Sequence, residues 1–194
     1  MEDQAKLYCT LMEDAKQRLA LVRQLVEGSI STTRTEFDTE LACLSLRRVL
    51  ELIAFSSLAA NKAEYELHYP EFDIHWKAEK ILLKLALVNP DFYPVPVTTE
   101  GNNHLSPSTK ECLSKEQFSF LYNKCSDVIH TWNPYRKEPR TVNFERPLGE
   151  WAELIWNLLG VHYLTIAKSD TKFIVQMHHP SDNLVHVYVA APKK

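Results

Sequence analysis

Residues 36–61 read as a single long helix that is apolar on almost every side, which restricts where it can sit in a fold. On a helical wheel Leu41, Leu52 and Ala59 lie on one side, and Cys43, Leu50 and Ala54 lie towards the other. Only the arc near Ser45 and Ser56 is polar and uncharged. A helix of this kind belongs at the centre of a bundle, with other helices around it. Three charges interrupt it, Arg47, Arg48 and Glu51, and they make the run too charged to span a membrane.

The surrounding elements follow from periodicity. Residues 2–27 form a first helix, with Leu7, Leu11, Ala15, Leu19, Val22 and Val26 on its inner face and Gly28 as a stop. Asp73 is a candidate N-cap for a third helix running to Val88, with Ile74, Ala78, Ile81, Leu82 and Leu85 buried and Lys77, Lys80 and Lys84 as a basic stripe. Ser114 and Gln117 have capping-box spacing and open a fourth helix through Thr131. Phe118, Leu121, Cys125, Val128 and Trp132 make its core face. A fifth helix spans 148–160, with Trp151, Leu154, Ile155 and Leu158 inward.

Between the third and fourth helices, 90–113 carries Pro90, Pro94, Pro96 and Pro107 and the tract Gly101-Asn102-Asn103. It reads as a long surface loop, of the kind that serves as a lid, a partner-binding arm or a spacer. After residue 160 the period changes. Val161–Ile166, Phe173–Met177 and Leu184–Val189 read as strands joined by turns at Ser169-Asp170 and Pro180–Asn183. The expected fold is mainly α with a small β element (α+β). One domain covers 1–194: a five-helix bundle over 1–160 carrying the 90–113 loop, and a three-stranded antiparallel meander over 161–194 packed on it.

A net charge of −3 excludes a protein that is basic all over, so nucleic-acid binding would need a local patch. The polar, acidic start Met1-Glu2-Asp3-Gln4 lacks the features of a signal peptide. Cys9, Cys43, Cys112 and Cys125 are widely spaced and contain no C-x-x-C, which fits reduced thiols in a cytoplasmic protein. No membrane association is expected.

Charge inside the apolar helix is the first candidate for function. Arg47 and Glu51 are one turn apart and can pair. Arg48 lies on another face, between Leu41, Leu52 and Phe55, where it could reach solvent or point across the bundle. An internal staple explains these residues, and so does an arginine offered to a phosphate. The second candidate is the row Lys124, Asp127 and His130 on the fourth helix. An aspartate beside a histidine fixes its tautomer and raises its basicity, which suits acid–base chemistry. It suits a plain helix C-cap equally well. Arg136, Lys137, Arg140 and Arg146 follow and could extend a basic groove.

Elsewhere, His178-His179 and His186 face each other across the last hairpin. Two imidazoles there could hold a metal, but no carboxylate or cysteine is obviously placed to complete a shell, so neither metal nor cofactor is expected. The chain contains no phosphate-binding glycine loop, no G-x-S-x-G and no H-E-x-x-H.

Leu46-Arg47-Arg48-x-x-Glu51 on a central helix, with Asp127-x-x-His130-x-x-Asn133 on a later one, resembles the HEPN superfamily over residues 36–135. The likeness is closest to its bacterial branch with an LRR-x-x-E helix. These small helical bundles occur in prokaryotic toxins and defence systems. The resemblance implies a module that pairs with itself or with another protein, with RNA as a further candidate partner. It also implies an alternative, a metal-independent endoribonuclease. In catalytic members an Arg stands four to six residues before a His, and two subunits bring such motifs together. His130 would be the general acid or base, Asp127 would orient it, and Lys124 with Arg47, Arg48, Arg136, Lys137 and Arg140 would face the phosphate. The chain departs from the pattern at position 124, where a lysine replaces the arginine and cannot grip two phosphate oxygens through a planar fork.

Overall fold

The computed structural model describes residues 1–100, 104–135, 137 and 141–192. The chain folds as α+β. Among the described residues six helices, α1 (Glu2–Val26), α2 (Thr35–Ala60), α3 (Lys62–His68), α4 (Ala78–Val88), α5 (Lys115–Ile129) and α6 (Leu148–Leu159), accompany a five-stranded antiparallel sheet. Its strands are β1 (Val95–Glu100), β2 (His104–Pro107), β3 (Val161–Thr165), β4 (Lys172–Gln176) and β5 (His186–Ala190), in the order β2-β1-β3-β4-β5. Among the described residues no helix is long and apolar enough to cross a membrane.

Helix α2 is the axis of the helical layer and packs on α1, α3, α4, α5 and α6. Cys43, Leu46, Val49, Leu50, Ile53 and Ala54 are fully enclosed, and even Ser45 and Ser56 on the polar arc are buried. Helix α1 buries Ala15, Leu19 and Val22 as expected and departs from the expected stripe towards its two ends. Tyr8 and Met12 are inside, while Leu7 is half exposed. The reason is local: Tyr8 carries its ring into the core because its hydroxyl finds a partner there, the ring of His162, 2.7 Å away. At the far end Leu25 turns inward and Val26 stays exposed.

The expectation of five helices and three strands needs three corrections. First, α2 is followed by the short helix α3, separated from it by Asn61. The Asn61 amide donates to the Ser57 carbonyl (2.8 Å), and its oxygen accepts from Asn89 Nδ2 (2.9 Å) and from Ala167 N–H (2.8 Å). Asn89 also donates to the Thr165 carbonyl (2.8 Å), so two buried amides tie the ends of α2, α4 and β3 together.

Second, α4 begins at Ala78, with Lys77 rather than Asp73 at its N-cap. Asp73 lies in a separate 3-10 turn, Phe72–Ile74, and Ile74 is exposed instead of buried. An aromatic cluster fixes this turn. His75 is held between the Tyr65 hydroxyl (3.1 Å) and the Lys84 ammonium (2.6 Å), and the rings of Tyr69 and Phe72 pack on Tyr65.

Third, 90–113 is not a structureless loop. Val97, Thr98 and Thr99 pair with Pro107, Ser106 and Leu105, and Val95 and Pro96 pair with Tyr163 and His162. The hairpin extends the C-terminal meander from three strands to five. Its prolines are compatible with the ladder. Pro96 pairs with His162 of β3 and engages the other side through its carbonyl alone, which accepts from Ser108 N–H (3.1 Å), and Pro107 ends the edge strand. The tip at 101–103 lies outside the described residues.

The capping box at Ser114 forms in both directions. Its helix stops at Ile129, two residues before the expected end, with His130 at the C-cap. In the sheet, alternate residues of β3 and β4 (His162 and Leu164; Phe173 and Val175) point into the core. Strand β5 begins at His186 rather than Leu184, which is exposed.

Candidate functional site

The charges of α2 meet a residue of α5 that sequence spacing does not reveal. Arg47 Nε lies 3.4 Å from Glu51 Oε1, and Arg47 Nη2 donates to the Tyr122 hydroxyl at 3.1 Å. That hydroxyl donates to Glu51 Oε1 at 3.3 Å, and the guanidinium stacks on the Tyr122 ring with its carbon 5.0 Å from the centroid. The Nε–Glu51 contact is close enough for charge attraction but too misaligned for a hydrogen bond. Glu51 also receives Arg48 at 3.4 Å, on the solvent side. Below this cluster Cys43 and Cys125 are buried thiols in hydrogen-bond contact, and that contact followed by burial pushes the Cys125 thiol far up, so it stays protonated. Both arginines therefore spend their charge on one carboxylate. The arrangement fits a staple between α2 and α5 better than an open phosphate site.

The row predicted on the fourth helix is on the surface of α5. Asp127 and His130 are exposed, and Lys124 is half-buried, with its ammonium 5.4 Å from the Phe120 ring centroid. Lys137 is exposed, and Arg136 and Arg140 lie outside the described residues. Arg146 turns away to form an ion pair with Glu111 at 2.7 Å.

A cleft of about 470 Å³ opens between α1 and α6. Among the described residues, neither the α2 arginines nor the Lys124, Asp127 and His130 row nor Lys137 lines it. Lys16, Arg23 and Lys110 stand against Glu27 and Glu153, with Trp156 and His178 on one wall. Lys16 is not available to a ligand as a free cation, because its ammonium is bonded to Glu13 (2.8 Å) and to the Asn183 carbonyl (2.7 Å). The mixed lining gives no preference for one sign of charge.

The least covered apolar surface is on α3, the 3-10 turn and α4. Leu67, Ile74, Trp76, Leu83 and Leu87 are all large and apolar, and their exposure runs from 61% for Trp76 to 81% for Leu87. Leu83 and Leu87 are one turn apart on the outer face of α4. The segment is stiffened from beneath by the Tyr65–His75–Lys84 chain, and burial, followed by the Lys84 charge, holds His75 below the ordinary imidazole range. Large exposed apolar groups on a braced segment mark a contact surface. In the sequence this region offers Lys77, Lys80 and Lys84 as a basic stripe, and Leu83 and Leu87 fall outside the expected buried stripe without by themselves marking a contact surface.

One group among the described residues could hold a metal ion: His179, Asp182 and His186. The two histidines were visible in the sequence. Asp182 was not, because it reaches them only through the geometry of the turn. The backbone N–H of Leu184, followed by His186, keeps its carboxyl below the usual range.

Comparison with known proteins found no matching family model, no matching curated protein and no matching solved structure.

Proposed function

We propose that this protein is an association module that pairs with a second copy of itself through the α3–α4 surface. The observation that carries the reading is the exposed apolar set Leu67, Ile74, Trp76, Leu83 and Leu87. Its flanks choose the occupant. Exposed Glu66, Glu71 and Asp73 outnumber exposed Lys62 on the α3 side, and exposed Lys77 and Lys80 lie on the α4 side. A two-fold axis would bring the acidic half of one copy onto the basic half of the other, with the leucines and Trp76 between them. Such self-complementarity is what an isologous interface requires, and it disfavours a partner of a single sign of charge. Self-pairing is also what the resemblance to HEPN domains implies.

The test is solution mass by light scattering across a concentration series. The wild type is expected as a dimer, and Leu83→Asp with Leu87→Asp as a monomer with an unchanged circular dichroism spectrum, since neither side chain is part of the core. A wild type that stays monomeric at high micromolar concentration overturns the reading. So does a dimer that is indifferent to both substitutions.

A further inference from the structure

We propose that the β4–β5 hairpin is a binding site for a borderline divalent transition-metal ion, Zn²⁺ foremost, with His179, Asp182 and His186 as its ligands. Their ligand atoms all lie within 4.8 Å of one another, although the residues are spread over the segment that follows β4, a turn and the first residue of β5. His186 Nε2 is 3.0 and 3.2 Å from the two oxygens of Asp182. The His179 and His186 rings stack with centroids 4.0 Å apart, inclined by 12°. Two imidazoles and one carboxylate form a mixed N/O donor set that favours zinc, cobalt or nickel over magnesium or calcium, which take oxygen shells.

The turn that presents these groups is held in place by other parts of the fold. Asn183 N–H and Leu184 O close it on His179 at 2.8 and 2.9 Å, and Asn183 itself takes a left-handed backbone, φ 61°. Helix α1 then clamps it from below. Lys16 donates to the Asn183 carbonyl, Glu13 accepts from Val185 N–H (3.1 Å), and the Cys9 thiol donates to the Val185 carbonyl (2.8 Å). The backbone is thus ordered before any ion arrives, which lowers the cost of assembling three ligands.

Stacked rings direct their lone pairs side by side, so an ion requires the imidazoles to turn apart about their Cβ–Cγ bonds. Both rings are partly exposed, and turning the His179 ring gives up the contacts of its Nδ1 with the Ser181 hydroxyl (2.6 Å) and the Ser181 N–H (3.2 Å). The ion would take the place of the proton now shared between His186 Nε2 and Asp182. Three protein ligands leave at least one position for water. His178 does not belong to the site. Its ring packs on Trp156 with centroids 4.9 Å apart and lines the α1–α6 cleft.

The experiment is calorimetric titration of the purified chain with ZnCl₂, supported by visible absorption on titration with CoCl₂. One equivalent is expected to bind, with intense cobalt d–d bands. His186→Ala and Asp182→Asn are each expected to weaken binding by at least about tenfold, the loss that follows even from removing an outer-shell partner. His178→Ala should bind as the wild type does, and MgCl₂ should give no heat. Each variant changes a side chain outside the core, so its fold can be checked by circular dichroism. The proposal is overturned by absence of zinc binding at high micromolar concentration. It is equally overturned if His186→Ala and Asp182→Asn bind unchanged, or if His178→Ala loses as much as they do.

Discussion

The Tyr8 hydroxyl and Nε2 of His162 are 2.7 Å apart at the junction of α1 and β3, and both side chains are fully buried. His162 Nδ1 is 2.6 Å from the Leu159 carbonyl, which can only accept, so Nδ1 carries the proton. Nε2 is then the acceptor for Tyr8, and the ring is neutral. Burial pushes its pKa down from 6.5 to about 4.

This fixes an acid-side limit on stability. Below its ordinary pKa the unfolded chain binds a proton at position 162, while the folded chain refuses one until about pH 4. The contribution is therefore complete above about pH 6.5 and is lost as the pH falls towards 4. The span corresponds to roughly 3 kcal/mol. Urea midpoints measured from about pH 7 down to about pH 4 should fall steadily over this window. Tyr8→Phe should cost about 1–3 kcal/mol at neutral pH by leaving Nε2 unsatisfied. A midpoint that is flat between pH 6.5 and 4 would show that His162 does not stay neutral.

The Arg47–Glu51–Tyr122 cluster predicts an asymmetry between neighbouring arginines. Arg47 and Glu51 side chains are 18% and 14% exposed, whereas that of Arg48 is 59% exposed. Glu51→Ala strands the Arg47 guanidinium over the Tyr122 ring and should cost about 2–4 kcal/mol. Arg48→Ala removes a solvent-screened pair and should cost less than about 0.5 kcal/mol. Equal losses in chemical denaturation would mean that Glu51 is held by Arg48 rather than by Arg47.

Asn61 is a denser hub than its place at a helix end implies. Asn61→Ala removes the acceptor for Asn89 and for the Ala167 N–H in one step, leaving two buried donors short of a partner. A loss of about 2–4 kcal/mol is expected. Faster amide exchange at Ala167 should accompany it, because the turn after β3 loses its tie to α2. Unchanged exchange there would argue that water takes over the bond.

What could be read in the sequence and what could not divide along one line. The long-period features came through: the buried α2, the capping box at Ser114, the inward face of α6 and the three C-terminal strands. These are set by residues whose neighbours lie within a turn or two. The misses depend on partners more than a turn or two away. Leu7 reads as the inward residue instead of Tyr8 because no local pattern announces His162. Asp73 reads as a cap because Tyr65 and Lys84, which hold His75 and set the turn, lie outside the few residues that capping chemistry consults. The β1–β2 hairpin is hidden by its prolines, which the ladder tolerates because Pro96 contributes only its carbonyl, to Ser108 N–H, and Pro107 ends the edge strand. The candidate sites divide in the same way. The Arg47–Glu51 pairing follows from spacing, but its third member Tyr122 and the Asp182 carboxylate require the folded chain.

The row on α5 gives the sharpest separation between an association module and a ribonuclease. Lys124, Asp127 and His130 stand on the surface of one helix, and the arginines of α2 that could have joined them are committed to Glu51. Metal-independent cleavage needs a cation placed on the phosphate besides an imidazole for the 2′-hydroxyl. Lys124 supplies a point charge that rests against the Phe120 ring. The expected outcome is that purified protein, incubated with single-stranded RNA in EDTA, leaves it intact, and that His130→Ala behaves identically. The dimer should form with or without that substitution, since His130 is not on the α3–α4 surface. Cleavage by the wild type that disappears in His130→Ala would assign acid–base chemistry to α5 and would make the paired copy a catalytic partner rather than the end product of association.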